Sequence, residues 1–514
     1  MTEKTKQRYV LALDQGTTSS RALVVAADGT VVGRAGREFT QHFPQPGWVE
    51  HDAEEIFAAT VACARDAIAE SGVVPEAIGI TNQRETVVVW DRETGRPIDR
   101  AIVWQDRRTA PRCAALRAAG QADAIYKATG LVPDPYFSAT KLEWLLAHKA
   151  RDARVAPERL AAGTIDTWLI WKLTNGAVHA TDPTNASRTM LYDINELKWS
   201  EQLAALFGVP LAILPEVRPS SGDFGVSAAE HLGVALPILG VAGDQQSALF
   251  GQGCWEAGKS KNTYGTGSFL LLHTGAERPT GGQGILTTVA CDARGGTAYA
   301  LEAGIFIAGA AVQWLRDGLG LLETAPESED MARALESNDG VYFVPALTGL
   351  GAPVWEPEAR GTIVGLTRGS TRDHLARAAL EAMAYGSADV LDAMRAASGG
   401  ANASVDVLRV DGGATSNNWL MQFQADLLGV NVERPDVIET TAMGAAGLAG
   451  IASGVWPDAA SFFGSRTYQR FTPGPGAAAA RAARGGWARA VRAAVSWARD
   501  TGAAPSPTAQ EKSS

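Results

Sequence analysis

Three short stretches place glycine and small hydroxyl residues directly after apolar runs. In "LALDQGTTSSRALVVAADGTVV" (11–32), Asp14 follows an apolar run and precedes Gly16, Thr17, Thr18, Ser19 and Ser20. Gly265, Thr266, Gly267 and Ser268 interrupt "KNTYGTGSFLLLHTG" (261–275) in the same way, and Asp411, Gly412 and Gly413 open "DGGATSNNWLMQFQAD" (411–426). Glycine lets backbone amides approach a phosphate with no Cβ in the way, and the hydroxyls add donors. One such turn alone reads equally well as a plain β-turn. Three, each at a strand end, point to phosphate binding, and the Asp14 carboxylate suits Mg²⁺ held through water.

A second group of residues suits a polyol. Arg84 and Glu85 break out of "AIGITNQRETVVVW" (77–90) as a donor fork beside an acceptor, and Trp104, Tyr136 and Phe269 offer faces for carbon. Each aromatic taken singly is more often core. Asp244 stands between Gly243 and Gln245 at an abrupt strand-to-helix break, where a carboxylate serves as an N-cap or as a general base; taken alone, the cap is the better reading. "GCWEAGKS" (253–260) matches a P-loop letter for letter, but a helix precedes it and a strand follows, the reverse of a phosphate loop, so Lys259 reads as a turn lysine. His42, His51 and His231 form no triad or metal cluster.

These residues need a scaffold that brings strand ends together. From Tyr9 the text reads strand, turn, strand, and after Asp28-Gly29 a third strand, an antiparallel meander. A helix is expected at about 53–70 and strands in 77–90 and 100–108, each running into charged residues at its carboxyl end, where α/β folds collect ligands. The grammar of the opening recurs from 261, which predicts a duplicated α/β fold with a cleft between its halves. Near the carboxyl end, Trp487, Val491 and Val495 lie at helical spacing in a packing helix with a solvated arginine face.

The 514 residues, 46% hydrophobic, exceed one ordinary core and imply two domains. A net charge of −10 offers no basic face for nucleic acid. The first ten residues lack a signal-peptide core, and the longest apolar run, Ala303 to Val312, is too short to span a bilayer, so a cytoplasmic chain is expected. Cys63, Cys113, Cys254 and Cys291 are scattered without ligand or disulfide spacing and read as small core residues.

Taken together, "LDQGTTSSR", "GITNQRET", "AIVWQDRRT", "GDQQSALFGQ", "KNTYGTGSF", "AGAAVQWLRD" and "DGGATSNNWLMQFQAD" resemble, in order and over about residues 8–460, the FGGY carbohydrate kinase family. The resemblance implies a duplicated actin-like, ribonuclease H-like two-domain α/β fold with a central cleft. It divides the chain into an N-terminal domain (1–252) and a C-terminal nucleotide-binding domain (253–500), and the Pro, Ser and Ala composition of 501–514 reads as a disordered tail. The resemblance further implies ATP-dependent phosphorylation of glycerol to sn-glycerol 3-phosphate with Mg²⁺, in a homo-oligomeric dimer or tetramer. Arg84, Glu85, Tyr136, Asp244 and Gln245 would bind the hydroxyls, Trp104 and Phe269 the carbons, and Asp244 would be the general base. Thr17, Thr18, Ser19, Arg21, Thr266, Gly309, Gln313, Gly413 and Asn417 would hold the nucleotide, and Asp14 would serve the metal.

Rival readings are a kinase of the same family acting on a pentulose or tetritol, and a nucleotide-binding regulator without phosphoryl transfer; Arg84-Glu85 with Trp104 favours glycerol, and the intact Asp244 argues against the regulator. Some bacterial members bind fructose 1,6-bisphosphate through a glycine-rich, arginine-bearing loop. The equivalent text here, "SAAEHLGVALPILG" (227–240), lacks it, so no inhibition by that sugar phosphate is expected. His231 lies nearby without the motif of members phosphorylated on histidine.

Overall fold

A computed structural model describes residues 7–150, 153–282, 284–399, 404–437, 439–464 and 466–500; the expected tail at 501–514 lies outside them. Tyr9–Gln15, Ser19–Ala26 and Val31–Glu38 form the expected meander, closed at Asp28-Gly29, where Gly29 adopts a φ of 85°. The strands Ala77–Asn82 and Ile238–Gly243 then add in parallel, giving the order Ile238–Gly243, Ala77–Asn82, Tyr9–Gln15, Ser19–Ala26, Val31–Glu38. Ala53–Ser71, capped by Asp52 and ended by left-handed Gly72, packs behind this sheet.

The second sheet repeats the plan. Lys259–Tyr264, Ser268–Gly275 and Thr297–Ile305 run antiparallel, and Val407–Asp411 and Asn431–Pro435 add in parallel. Leu286–Cys291 and Tyr468–Phe471 extend the two edges, making seven strands. Register places the chemistry. In the first sheet Asp14 pairs with Thr81 and Gly243 with Asn82, so the residues that follow, Gln83-Arg84 and Asp244, leave the same edge as Asp14. In the second sheet Thr263 pairs with Asp411, which brings the Gly265 and Gly412 turns to one edge. Carboxyl ends of adjacent parallel strands are where such sheets bind ligands.

Two expectations need correction. The stretch 100–108 is not a strand through its length: Ala101–Ile102 alone pair, in a small sheet with Glu50–His51, Val87–Asp91 and Leu160–Thr164. The reason lies beyond Val103, where Asp106 binds the Val49 amide and the Arg108 guanidinium sits between the rings of Trp48 and Trp144. Likewise 77–90 is two strands in two sheets, divided at Arg84-Glu85, with Glu85 at a φ of 63°.

The cut expected between residues 252 and 253 falls between a helix and a strand, yet packing crosses it. The helix Thr440–Ala452, apolar on every side, lies on the first sheet, where Ala442, Met443, Ala446 and Ala449 meet Val10, Ala12 and Val25. Glycine makes the approach: a Cβ on Gly79 would stand 2.1 Å from the Ala445 carbonyl oxygen, and one on Gly444 1.9 Å from that of Ser247. Gly444→Ala is therefore expected to destabilise the chain by about 1–3 kcal/mol through overpacking against backbone. A lowered urea midpoint would show it, and an unchanged one would show that the helix is free to shift.

Trp487 of the helix Ala477–Arg499 stacks on Tyr385 with centroids 5.4 Å apart. The four cysteines are free and buried. Among the described residues no helix is long and apolar enough to cross a membrane.

Candidate active site

Asp244 is the first residue of the helix Asp244–Gly251, and Gly243 occupies the cap position. The cap reading of Asp244 is thereby replaced: its Oδ1 accepts from the amide of its neighbour Gln245 at 2.7 Å, and its side chain is 31% exposed. Arg84 Nε lies 3.2 Å from the same oxygen. Burial raises the Asp244 carboxyl above the ordinary aspartate range against the pull of Arg84 and Lys261. A carboxylate kept more basic than usual, beside a fixed donor fork, can take a proton from a bound hydroxyl.

Arg84 is the hub. Its Nη1 donates to Gln246 Oε1 at 3.1 Å and Glu302 Oε2 at 2.6 Å, and its Nη2 to Glu302 Oε1 at 2.8 Å and the Tyr136 hydroxyl at 3.3 Å. Glu85 accepts from Arg188 Nε at 2.7 Å. Burial pushes Glu85 up in pKa and opposes the two guanidiniums; for Glu302 burial acts the same way, but Arg188 and Arg84 outweigh it and hold the carboxyl down at about 2. Trp104 packs edge-on to Tyr136 at 5.5 Å and donates its indole N–H to Thr17 Oγ1 at 2.9 Å, which ties the polyol group to the first hairpin.

Lys261, buried, donates to Gln245 Oε1 and, at 2.9 Å, to Thr263 Oγ1. Phe269 pairs with Gly304 and with Thr263, so it shares a sheet face with Glu302 and Lys261. Arg84, Glu85, Tyr136, Trp104, Asp244 and Gln245 are thus linked through direct contacts, with Phe269 on the facing sheet.

The first hairpin is braced from behind. The Gln83 side-chain amide donates to Gln15 Oε1 and to the Gly16 carbonyl, each at 3.1 Å, and Gln41 donates to the Thr17 carbonyl at 3.1 Å. Thr18 is exposed, and Ser19 and Arg21 flank the turn. In the second hairpin the Thr266 carbonyl accepts from Ala308 and Ala310 amides at 2.8 and 3.1 Å. That seats the hairpin on the helix Gly309–Asp317, in which Gly309 and Gln313 are one turn apart.

Gly412, at a φ of 91°, lies where a Cβ would meet the Tyr264 carbonyl at 2.1 Å, so the third turn packs against the second hairpin's strand. Asp14 and Arg21 face Gly412, Gly413, Thr415 and Arg434 across a cleft of about 750 Å³. Asn417 caps the helix Asn418–Leu428, its Oδ1 accepting from the Leu420 amide at 2.9 Å.

Burial pushes the Asp14 carboxyl up to about 6, with Arg21 opposing and Asp244 adding to the shift. Asp14 lines the cleft beside the Gly412-Gly413 turn, a position that suits a cation delivered with phosphate. Among the described residues no cluster of three or more His, Cys, Asp or Glu could hold a metal by itself.

Sequence reasoning missed Arg188, Gln246, Lys261 and Glu302. The signal for Glu302 was a single acid inside the apolar strand "TAYALEAGI" (297–305), which requires a buried cation. For "P-loop" Lys259, the structure shows a strand start 3.9 Å from Asp406.

Family models for the FGGY family of carbohydrate kinases match this chain, the N-terminal domain at residues 9–251 and the C-terminal domain at 260–453. The glycerol kinase of Halorhodospira halophila is 54% identical over 503 residues, covering 96% of this chain and 98% of that protein. That of Dechloromonas aromatica is 54% identical over 500 residues, covering 96% and 99%. The crystal structure of Plasmodium falciparum glycerol kinase with ADP superposes with a TM-score of 0.90 at 35% identity, over 95% of this chain and 98% of that one. The two family models together cover most of the chain, and these relatives match it over nearly its whole length: the chain belongs to the FGGY family of carbohydrate kinases.

Proposed function

We propose that this chain transfers the γ-phosphoryl group of ATP to a terminal hydroxyl of glycerol, giving sn-glycerol 3-phosphate and ADP. The observation that carries the reading is Asp244 beside Arg84, Glu85 and Tyr136 in a chain 54% identical to glycerol kinases over nearly its full length. Arg84, Glu85, the Tyr136 hydroxyl and Gln245 orient the polyol, and Trp104 and Phe269 lie against its carbons. Asp244 takes the proton as the hydroxyl oxygen attacks the γ-phosphorus in line and ADP leaves. Thr17, Thr18, Ser19 and Arg21 receive the phosphates from one side, and Thr266 with Gly309, Gln313, Gly413 and Asn417 holds the nucleotide from the other.

Mg²⁺ held at Asp14 through water would neutralise charge on the phosphate oxygens. Positioning and fixed dipoles supply most of the rate in such transfers, and a site formed between two halves excludes the water that competes for ATP. The chain works in the cytoplasm, where ATP is made available, as a homo-oligomer.

ADP release with Mg²⁺-ATP against glycerol, dihydroxyacetone, erythritol, xylulose and gluconate tests this. Glycerol is expected to give the highest kcat/KM. Preference for a longer sugar would discard the polyol assignment, and no turnover with any of them would discard the kinase.

A further inference from the structure

Glu302 sits in mid-strand between buried Leu301 and Ala303, with its side chain 2% exposed and both oxygens in use. One fork, from Arg84, reaches it at 2.6 and 2.8 Å, and Arg188 Nη2 reaches it at 3.0 Å. Arg188 is fully buried, turns its Nε to Glu85 at 2.7 Å, and lies over the rings of Tyr136 and Phe137 at 5.6 and 5.2 Å. Its Nη1 is buried with no hydrogen-bond partner.

Buried ion pairs add little stability over apolar packing of the same volume, so stability is a poor account of this one. What a bidentate pair does supply is direction, since it fixes the plane of a guanidinium. Here that plane aims the remaining Arg84 edges at Asp244 and at the Tyr136 hydroxyl. Glu302 comes from the second sheet, whereas Arg84, Glu85 and Arg188 come from the first half of the chain.

We propose that Glu302 and Arg188 form a positioning pair that sets how Arg84 and Glu85 are presented to the polyol, and that locks this presentation to the sheet carrying Phe269 and the second hairpin. The inference rests on the glycerol reading above. Because the pair touches no residue assigned to the nucleotide, its loss acts on one substrate.

The test uses the full chain with Glu302→Gln, Glu302→Asp and Arg188→Lys, each measured for kcat, for KM of glycerol and of ATP, and for the shift in thermal midpoint given by glycerol or by ADP alone. For Glu302→Gln the glycerol KM is expected to rise by at least about tenfold while the ATP KM stays within about twofold, and the midpoint shift at a fixed glycerol concentration to shrink while the ADP-induced shift persists. Glu302→Asp is expected to fall between this variant and the parent. A glycerol KM within about twofold of the parent, or a parallel rise of both KM values, overturns the proposal. Should Glu302→Gln fail to fold, the same split is read on Arg188→Lys, which keeps the charge and loses the fork. If the parent chain turns over another polyol of the panel and not glycerol, the functional reading fails, and the split measured with that polyol decides the positioning pair separately.

Discussion

Asp244→Asn is expected to lower kcat with glycerol by about a hundredfold to ten-thousandfold, the range lost with a general base in the transition state. The amide keeps the shape of the carboxylate and an oxygen for Arg84 Nε, now 3.2 Å away, but cannot accept the proton. Nucleotide binding is expected to persist.

Stability gives an independent reading of the same variant. Burial raises the Asp244 pKa above its unfolded value, so the native state holds the proton more tightly than the unfolded chain does. That contribution is present at low pH and is lost as pH rises through the folded pKa, which leaves the ionised carboxylate a cost at neutral pH. The asparagine variant should then melt at or above the parent's midpoint. The acid limb of kcat/KM should lie above the ordinary aspartate range in the parent and be absent in the variant. A variant within about tenfold of the parent in kcat would remove Asp244 from the role.

How much of this was legible beforehand depends on how far apart the interacting residues lie. The hairpins could be read because their signals are local: period-two apolar runs, a glycine turn and hydroxyls in one short stretch. Arg84-Glu85 was visible as charge at the end of a buried strand, and Asp244 as an acid at a strand-to-helix break. Its competing cap reading failed because Gly243 takes the cap backbone conformation and leaves the carboxylate free to turn toward Arg84.

Glu302 was out of reach because its meaning lies in partners 218 and 114 residues away. Trp104 could be proposed as an aromatic face, but its bond to Thr17, 87 residues distant, could not. The stretch 100–108 misled for the opposite reason. Its apolar start predicts a strand, while strand length is set by a partner, and here Asp106 and Arg108 are taken by Val49, Trp48 and Trp144. The helix Thr440–Ala452 carries the pattern of complete burial, apolar on all sides. Only the three-dimensional packing shows that it is the first sheet that buries it.

Replacing Arg84 should separate charge from shape. Arg84→Lys keeps a cation beneath the polyol, but an ammonium cannot bridge both Glu302 oxygens, Gln246, Tyr136 and Asp244 together. The expected result is a fall of about a hundredfold or more in kcat/KM for glycerol, equivalent to about 2.7 kcal/mol of lost transition-state binding, with ADP affinity little changed.

Arg84→Met removes the charge as well and leaves Glu302 to Arg188 alone, and breaking a buried pair in this way costs about 3–5 kcal/mol of stability. The pH dependence identifies the source. Glu302 is held at about 2, below its unfolded value, so its pairing stabilises the native state above the unfolded pKa and this contribution is lost as pH falls through the folded one. The stability gap between parent and Arg84→Met should therefore be widest near neutrality and narrow as acid protonates Glu302. A gap that is constant from neutral to acid pH would assign the loss to packing around the arginine stem and not to the ion pair, and Arg84→Lys retaining more than about a third of the parent's kcat/KM would show that charge alone suffices to hold the polyol.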